Sequence, residues 1–312
     1  MFRTLAARVV IVSAAIPVMA VLFSFLAPWL PAADSVSHFR FHLAIAIAAA
    51  AILLVVLREW RPAGIAGAVA TAGFLGLSPA MAIPGAVVHA GPPASLTLIQ
   101  FNLSFRNTAV DSVAAFIREQ KADVVTLQEV NRDTRAVIES LRDDYRQVVL
   151  CPFSGVGGVA VLSRLELAPG ASSGCADGEG MAWLRVMVEG RAVSVATLHL
   201  HWPYPFRQAR QIDALEPRLR QIPRPILLAG DFNAAPWSHA AARIANATET
   251  TIAGGLRPSF SIRFGGWVPP ITLPIDHVLL PNGMVAQDIR LGPGPGSDHA
   301  SIVTRLGFVS GP

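Results

Sequence analysis

The sequence predicts an α/β domain that follows a membrane anchor, and three observations lead to this. From about residue 95 onwards, stretches with the alternation of β-strands take turns with stretches of helical periodicity. Before residue 90, three long runs lack Asp, Glu, Lys and Arg. Hydrophobic residues make up 52% of the chain and the mean hydropathy is +0.47, both high for a soluble protein. We therefore divide the 312 residues into an anchor over 1–90 and a second domain over 91–312.

The three uncharged runs cover residues 9–30, 41–57 and 63–88. A bilayer core needs about 20 apolar residues per helix, so each run is a candidate membrane span. A cleaved signal peptide is the alternative for the first run, because Arg3 and Arg8 precede it. Since two more apolar runs follow directly, we expect a retained anchor of about three transmembrane helices, with the lipid bilayer as a partner.

Arginine placement predicts the orientation of this anchor. Arg3 and Arg8 precede the first run, and Arg58 and Arg61 lie between the second and third, whereas the first loop contains only Arg40. Basic residues next to spans favour the cytoplasmic side. We expect an integral protein of the cell or inner membrane with a cytoplasmic N-terminus. After three crossings, the second domain would be extracytoplasmic.

Composition also bears on the compartment and the partners of the second domain. Cys151 and Cys175 are the two cysteines of the chain. In an oxidising compartment they can form a disulfide, but two buried thiols fit the sequence nearly as well. Without the five basic and two acidic residues of the anchor, 20 basic and 19 acidic residues remain. Proteins that grip duplex nucleic acid usually carry a basic face, so this balance weakens that function but leaves room for a local basic groove.

The second domain has a readable order of elements. Apolar alternation predicts strands, and apolar residues three and four positions apart predict helices. The predicted strands cover residues 96–102, 123–129, 157–163, about 226–230 and 275–280, with a hairpin over 181–199 that turns at 189–191. The predicted helices cover residues 111–120, 133–142 and 207–221.

Residues 226–238 are the stretch around which the candidate site is organised. An apolar strand stops at Gly230, and Asp231 and Asn233 follow two positions apart. Side chains at i and i+2 of an extended chain point the same way, so this acid and this amide can meet one ligand. A turn that caps the next helix, starting near Pro236, would explain the same residues without any site.

Side chains of the matching kind end further strands. They are Asn102, Glu129, His199, Asp276, and the adjacent Asp298 and His299. In this order they resemble the pattern of the endonuclease/exonuclease/phosphatase superfamily, over about residues 94–308. That superfamily includes deoxyribonuclease-like nucleases, abasic-site endonucleases, sphingomyelinases and inositol polyphosphate phosphatases. The resemblance implies a four-layer α/β sandwich, in which two mixed β-sheets pack face to face beneath outer helices.

The resemblance also implies roles for these residues. Glu129 would hold Mg²⁺ or Mn²⁺, Asn102 would support the metal or the phosphate, and Asp298 would lie near the metal. Mg²⁺ binds through few carboxylates and keeps several waters, which suits this residue set. Asp231 would orient and deprotonate the attacking water, and Asn233 would donate to a phosphoryl oxygen.

The histidines have separate expected roles. His299 would be oriented by Asp276, since a carboxylate fixes the tautomer and raises the basicity of an imidazole. Strand alternation places His277 on the opposite face, where it takes no part. His199 would stabilise phosphate charge or assist the leaving group, and His201 is a second candidate for that work. Nuclease members place a glutamate or tyrosine upstream of this histidine. Here no residue between 130 and 180 aligns with it, which departs from the family pattern, and Asp177 and Glu179 of a glycine-rich loop stand in as candidates.

We expect a divalent-metal-dependent phosphoester hydrolase, more specifically a phosphodiesterase. The substrate would be a phospholipid headgroup or a nucleic acid. Aromatic residues near the motifs suit a membrane interface and favour phospholipid. They are Trp202, Tyr204, Phe206, Trp237 and Trp267. The alternative is a catalytically silent, membrane-anchored binding or scaffold module with the same fold, which would have lost a metal carboxylate or a catalytic histidine.

Overall fold

The computed structural model describes residues 2–77, 95–262 and 271–309. These ranges contain eight helices. They are α1 (Phe2–Ser24), α2 (Pro31–Ser37), α3 (Arg40–Val56), α4 (Trp60–Leu75), α5 (Val110–Glu119), α6 (Arg135–Ser140), α7 (Gln208–Gln221) and α8 (His239–Thr248). The first four precede all strands, and the last four alternate with them.

The same ranges contain fourteen strands. They are β1 (Leu96–Asn102), β2 (Val124–Val130), β3 (Gln147–Ser154), β4 (Gly157–Ser163), β5 (Ser173–Ala176), β6 (Met181–Val188), β7 (Arg191–His199), β8 (Ile226–Asp231), β9 (Thr250–Ile252), β10 (Phe260–Ile262), β11 (Ile271–Leu273), β12 (Asp276–Pro281), β13 (Met284–Leu291) and β14 (Ile302–Phe308). Two sheets have six strands each, in the orders β13-β14-β1-β2-β4-β3 and β5-β6-β7-β8-β12-β9, and β10 and β11 form a small separate pair. Both large sheets mix parallel and antiparallel pairing.

The two large sheets pack face to face, and helices cover their outer faces. The inner core includes Leu98 of β1 and Val195 of β7, which come from different sheets. On one outer face, residues of α5 such as Phe116 pack against β1 and β2. On the other, α7 and α8 pack against β7 and β8. The predicted four-layer α/β sandwich is confirmed.

Most predicted elements of this domain are confirmed, with shifts at their ends. The helix predicted over 111–120 is α5, and the helix predicted over 207–221 is α7. The helix predicted over 133–142 is shorter, because α6 covers only Arg135–Ser140. The short strands β5, β9, β10 and β11 and the long strands β3 and β13 were not predicted. A strand of three or four residues is too short to show a period.

Among the described residues, the structure contains fewer helices able to span a membrane than the three that the sequence predicts. Within the described residues, α1 is the one helix of 18 or more residues that is apolar enough to cross a bilayer. A second span is reached only if α2 and α3, which meet at a bend of 63°, count together. The helix α4 has 16 residues, and the rest of the predicted third run, from residue 78, lies outside the described ranges. The predicted boundary at residues 90 and 91 and the side chain of Trp267 also lie outside them.

The N-terminal helices form their own small core and contact the sandwich. Val21 of α1, Ile47 of α3 and Ala66 of α4 pack together. The short helix α2 lies against the start of α8, where both carboxylate oxygens of Asp34 accept backbone N–H bonds. Helix α1 thus packs against α3 and α4, and helix α2, which follows α1 in the chain, binds the sandwich.

Cys151 and Cys175 form a disulfide, which settles the choice left open by the sequence. Cys151 lies in β3 at the edge of one sheet, and Cys175 lies in β5 at the edge of the other. The bond therefore ties the two sheets together along one side of the sandwich.

Candidate active site

Strand register brings the candidate residues to one end of the sandwich. In one sheet, Asn102 of β1 pairs with Gln128 of β2, next to Glu129. In the other, Asp231 of β8 pairs with both His199 of β7 and Asp276 of β12. Because the sheets pack face to face, these strand ends meet across the interior. His299 joins them from the loop before β14, where it bridges to Phe260.

Asn102 links the two carboxylates that belong to different sheets. Its Nδ2 donates to Asp231 Oδ2 at 2.9 Å and to Glu129 Oε1 at 3.2 Å. Its Oδ1 accepts from the backbone of Ser104 at 2.9 Å. In this arrangement the amide nitrogen, and not the oxygen, faces the carboxylates. Asn102 therefore sets the distance between Glu129 and Asp231.

Glu129 reaches the site because the backbone departs from a regular strand. Strand alternation would turn Glu129 away from the face that carries Gln128. A β-bulge lies between Gln128 and Val130, and Glu129 has a left-handed φ of 58°. Such a bulge redirects a side chain, and positive φ in a non-glycine residue carries a conformational cost. The bond from the Phe105 N–H to Glu129 Oε2, at 2.6 Å, holds the redirected carboxylate.

His299 and Asp276 form the closest acid–base pair of the site. The distance from His299 Nδ1 to Asp276 Oδ2 is 2.8 Å, and both side chains are buried. The other ring nitrogen, Nε2, lies 3.8 Å from Asp231 Oδ2. Gln100 donates to the second oxygen of Asp276 at 2.7 Å. The imidazole is thus fixed on one side and presents Nε2 to the reacting centre.

His199 faces the same carboxylates but lacks an orienting partner. Its Nε2 lies 3.9 Å from Glu129 Oε1 and 3.7 Å from Asp231 Oδ2. Its Nδ1 is buried without a hydrogen bond among the described residues. The ring of Phe153 packs edge-on at 5.2 Å, and it also contacts His201 at 4.7 Å. In the described ranges no carboxylate of Asp177 or Glu179 bonds His199, so those two candidates find no support.

The environment separates the pKa values of the two histidines. Burial lowers the pKa of His199 to about 3, helped by the positive charge on His299, so His199 is neutral at pH 7. Burial also disfavours charge on His299, but Asp276 and then Asp231 outweigh it and raise the pKa of His299 to about 10. For Asp276, burial is outweighed by the His299 charge, and its pKa is lowered. One imidazole is therefore neutral and the other is an imidazolium.

Asp231 and Glu129, the carboxyl groups near the two histidines, are harder to ionise than free carboxyl groups. Burial and the nearby charge of Asp276 raise the pKa of Asp231 to about 8. Burial likewise raises the pKa of Glu129, and the charge of Asp298 adds to this. Asp298 itself is exposed, so it stands at the rim of the site.

This group of side chains fits a divalent cation. Asp276 acts on Asp231 and Asp298 acts on Glu129, and the positive charge of His299 opposes both effects. Sites rich in carboxylate oxygen suit Mg²⁺ and Mn²⁺. Ligand atoms of Asp231, Asp276 and His299 also lie within 4.8 Å of one another, although the protonated His299 would not itself be a ligand. A bound cation would favour the ionised forms of Asp231 and Glu129, whose pKa values are raised first by burial and then by neighbouring carboxylates.

Other sequence expectations find a defined place. Asn233 donates its backbone N–H to Asp231 Oδ1 at 2.8 Å and its Nδ2 to Leu200 O at 2.8 Å, which leaves one amide hydrogen for a ligand. His277 points away from the cluster, as expected, and its Nε2 lies 2.7 Å from Ala234 O.

A buried chain of amides behind the site was not predicted. Gln100 Nε2 donates to Gln128 Oε1 as well as to Asp276, and Gln128 Nε2 donates to Thr197 Oγ1 at 2.9 Å. These bonds connect the two sheets through the core. The sequence position of Gln100 could have revealed its place, because it precedes Asn102 by two residues and so lies on the same face of β1.

A family profile matches this chain. The profile of the endonuclease/exonuclease/phosphatase family covers residues 99–299, which is more than half of the sequence and spans every strand end of the site. The chain belongs to the endonuclease/exonuclease/phosphatase family. Members of this family are hydrolytic nucleases and phosphatases that depend on a divalent metal. The resemblance seen in the sequence is thus confirmed. No protein with a curated description matches the chain.

Solved structures share the fold at low identity. An endonuclease/exonuclease/phosphatase from Beutenbergia cavernae has a TM-score of 0.54 at 18% identity, covering 70% of this chain and 72% of its own. A family protein from Leptotrichia buccalis has a TM-score of 0.53 at 15% identity, covering 68% and 100%. A humanised D. rerio TDP2 has a TM-score of 0.52 at 16% identity, covering 68% and 99%. At these identities the likeness shows the family fold alone.

Proposed function

We propose that this family member is a Mg²⁺- or Mn²⁺-dependent phosphodiesterase. In this proposal the N-terminal helices anchor it in the membrane and the catalytic domain is extracytoplasmic. The substrate class is a phospholipid or a nucleic acid. One observation carries the proposal. Glu129 and Asp231 come from different sheets and share the amide of Asn102. Nε2 of His199 faces both carboxylates, and Nε2 of His299 faces Asp231.

The residues divide the work of phosphodiester hydrolysis. A cation held by Glu129, with Asp298 at the rim, would neutralise the phosphate oxygens. Asp231 accepts the proton of the attacking water; burial and Asp276 raise its pKa to about 8, and a bound cation would favour the ionised carboxylate that acts as the base. His299, kept protonated by Asp276, donates to the phosphate from Nε2.

Two further groups complete the electrostatic surroundings of the phosphate. His199 is neutral and donates one hydrogen bond from Nε2, so it stabilises an oxygen without supplying a full charge. Asn233 directs its remaining amide hydrogen to a phosphoryl oxygen. Both side chains are buried, with Asn233 held by two hydrogen bonds and His199 packed against Phe153, so little reorganisation is needed when charge develops.

Two observations support the membrane anchor and its orientation. Helix α1 packs against α3 and α4, and α2 binds the sandwich, which is the behaviour of a retained segment and not of a cleaved leader. The Cys151–Cys175 disulfide belongs to an oxidising compartment, in agreement with the arginine distribution around the helices.

Hydrolysis of bis-p-nitrophenyl phosphate tests the proposed activity. The full chain in detergent micelles should release p-nitrophenolate with Mg²⁺ and stop with a chelator. Asp231→Ala should lower kcat at least a hundredfold, since it removes the base. Asp213→Ala is the matched control, because that exposed carboxylate pairs with Arg243 on α8 away from the site. Equal rates for the wild type and Asp231→Ala would leave only the silent binding module.

A further inference from the structure

A cavity of about 190 Å³ lies between helix α2 and the loop that follows β7. Its walls include Ser35, Phe39, Trp202, Tyr204, Phe206 and Asn233. Among the described residues, no Lys, Arg, Asp or Glu lines it. We refer to it as the α2 cavity. Its lining is suited to a hydrocarbon group and not to a phosphate chain, which requires cations.

The α2 cavity opens beside the reacting centre. Asn233 is part of its wall and donates its backbone N–H to Asp231. Trp202, also in the wall, packs edge-on against Phe260 at 5.6 Å, and Phe260 packs on the ring of His299 at 4.8 Å. Trp202 and Phe260 thus connect the wall of the α2 cavity to His299, where the phosphate of the substrate would lie.

Hydrogen bonds hold the two walls of the cavity together. Ser35 Oγ donates to Tyr204 O at 3.1 Å, directly across the opening. Trp237 Nε1 donates to Ser37 O at 2.7 Å, and Asp34 accepts from the N-terminus of α8. The α2 cavity is thus a built feature of the joined anchor and sandwich.

The apolar lining continues onto the surface of the N-terminal helices. Phe39 immediately precedes α3, whose outward side chains Ile45, Ile52 and Val56 are exposed and apolar. On the side of the sandwich, Trp202, Tyr204 and Phe206 are 42%, 58% and 65% exposed. Aromatic side chains at this level are typical of a membrane interface. The apolar lining of the α2 cavity thus lies next to exposed apolar side chains of α3 and of the loop after β7.

The opposite side of the site has a different character. A groove of about 660 Å³ runs past Phe153, whose ring contacts His199, and Arg132 and Arg135 line it. The site thus has an apolar side towards the helices and a polar, basic side away from them. This asymmetry matches an amphiphile with its phosphate in the middle.

From these contacts we propose that the substrate is a membrane-borne phosphodiester lipid whose hydrocarbon chain occupies the α2 cavity. The proposal rests on the phosphodiesterase function given above and specifies its substrate. Water attacks phosphorus, the bond from phosphorus to the leaving oxygen breaks, and the products are a phosphate monoester and an alcohol. The chain in the α2 cavity holds the ester while its phosphate lies at His299.

A pair of synthetic diesters tests the α2 cavity. p-Nitrophenyl hexyl phosphate and p-nitrophenyl methyl phosphate release the same leaving group and differ only in the alkyl chain. With the full chain in micelles and Mg²⁺, kcat/KM should be at least tenfold higher for the hexyl ester, since methylene groups leave water for an apolar wall. Ser35→Trp should fill the cavity and abolish this preference, while hydrolysis of the methyl ester stays within twofold of wild type.

Ser35→Ala is the matched control, because it removes the hydroxyl without filling the cavity. The Trp237 and Asp34 bonds still join the two walls, so this variant should keep the preference. Partition of the hexyl ester into micelles is the same for all variants, so it does not affect their comparison. If Ser35→Trp also fails to hydrolyse the methyl ester, Leu273→Phe, which fills the cavity from the other wall, takes the place of Ser35→Trp in the test.

Natural substrates separate a lipid from a nucleic acid. Mixed micelles of phosphatidylcholine and a single-stranded oligonucleotide are compared with the same three proteins. Loss of phospholipid hydrolysis in Ser35→Trp alone supports the proposal. A hexyl preference that persists in Ser35→Trp, or an oligonucleotide cleaved faster than the lipid, overturns it. In both of those cases, a wild type that hydrolyses the methyl ester still supports the phosphodiesterase function. A wild type that does not hydrolyse the methyl ester contradicts that function itself.

Discussion

At the scale of single residues, Gln100 holds the Asp276–His299 pair in position without facing the substrate. Its amide nitrogen donates to Asp276 Oδ1, while Asp276 Oδ2 binds His299. The carboxylate thus has both oxygens occupied and can point in one direction only. A carboxylate fixed in this way keeps the imidazole in one tautomer and orientation.

Gln100→Met should lower kcat about tenfold and leave KM nearly unchanged, because the imidazole loses orientation while the phosphate contacts remain. It should also lower the free energy of unfolding by about 1–3 kcal/mol, since Gln128 Oε1 loses its donor. Rates on bis-p-nitrophenyl phosphate and chemical denaturation measure the two effects. Thr126→Val removes a buried hydroxyl from the neighbouring strand without touching Asp276, and should keep the wild-type kcat. A native kcat in Gln100→Met would remove Gln100 from this role.

His277 gives the protein a defined sensitivity to acid. Burial lowers its pKa to about 4, against 6.5 in the unfolded chain, and its ring lies against Phe232 at 5.1 Å. Between pH 6.5 and 4 the unfolded chain binds a proton that the folded protein does not. The free energy of unfolding should therefore fall as the pH falls through this window, by up to about 3 kcal/mol from this residue.

His277→Gln should make the unfolding free energy less dependent on pH between 6.5 and 4, because glutamine does not titrate and can still donate to Ala234 O. Denaturant unfolding at a series of pH values measures this. Above pH 7 the variant and the wild type should show parallel behaviour, and kcat at pH 8 should be close to native. An unchanged slope below pH 6.5 would mean that His277 is not the group responsible.

At the scale of elements, helix α8 is capped twice, once from its own sequence and once from the anchor. Ser238 Oγ accepts from the Ala241 N–H at 3.1 Å. Asp34 accepts from the His239 and Ala240 N–H groups at 2.8 and 2.9 Å, although it lies two hundred positions earlier. A negative charge also interacts favourably with the N-terminus of a helix. Asp34 of the anchor thus provides hydrogen-bond acceptors for two N–H groups in the first turn of α8 that have no partner within the helix.

Asp34→Ala should lower the free energy of unfolding by about 2 kcal/mol, because two buried N–H groups lose their acceptor. Thermal unfolding of the full chain in detergent measures the loss. Asp34→Asn keeps one acceptor oxygen and should lose less than half as much. Equal stability of Asp34→Ala and wild type would show that the contact between α2 and α8 contributes nothing in solution.

At the scale of the whole molecule, the disulfide joins the edges of the two sheets. Cys151 and Cys175 are 24 positions apart, and Cys151 precedes Phe153, the residue that packs against His199, by two. A crosslink stabilises mainly by restricting the unfolded chain. The same bond limits how far the sheet edges next to the candidate site can separate.

Replacing both cysteines by alanine should lower the free energy of unfolding by about 3 kcal/mol, as expected for a loop of this length. Chemical denaturation with and without reductant measures the effect. Reductant should destabilise the wild type to the level of the double variant and leave the double variant unchanged. A wild type that does not respond to reductant would contradict a role for the bond in stability.

Much of the site could be predicted from sequence, because its residues lie at the ends of strands that apolar patterns locate. Asn102, His199 and Asp231 end strands β1, β7 and β8, and Asp276 begins β12. Alternation and apolar runs locate such ends without knowledge of the partners. The unpartnered Nδ1 of His199 could not be predicted, since the phenyl ring of Phe153 packs on this imidazole from the other sheet. Nor could Asp34, whose partners lie in a different part of the chain.

The sequence by itself determined the alternation of strands and helices, the family, and the order of polar residues at the strand ends. These follow from local periodicity and from residue identity, which need no knowledge of distant contacts. Only the tertiary structure decided that Glu129 turns into the site, that the cysteines bond, and that α2 closes an apolar cavity beside His299. Each of these depends on which distant backbones pack together, because a bulge, a crosslink or a cavity is a property of the packed pair and not of either segment alone.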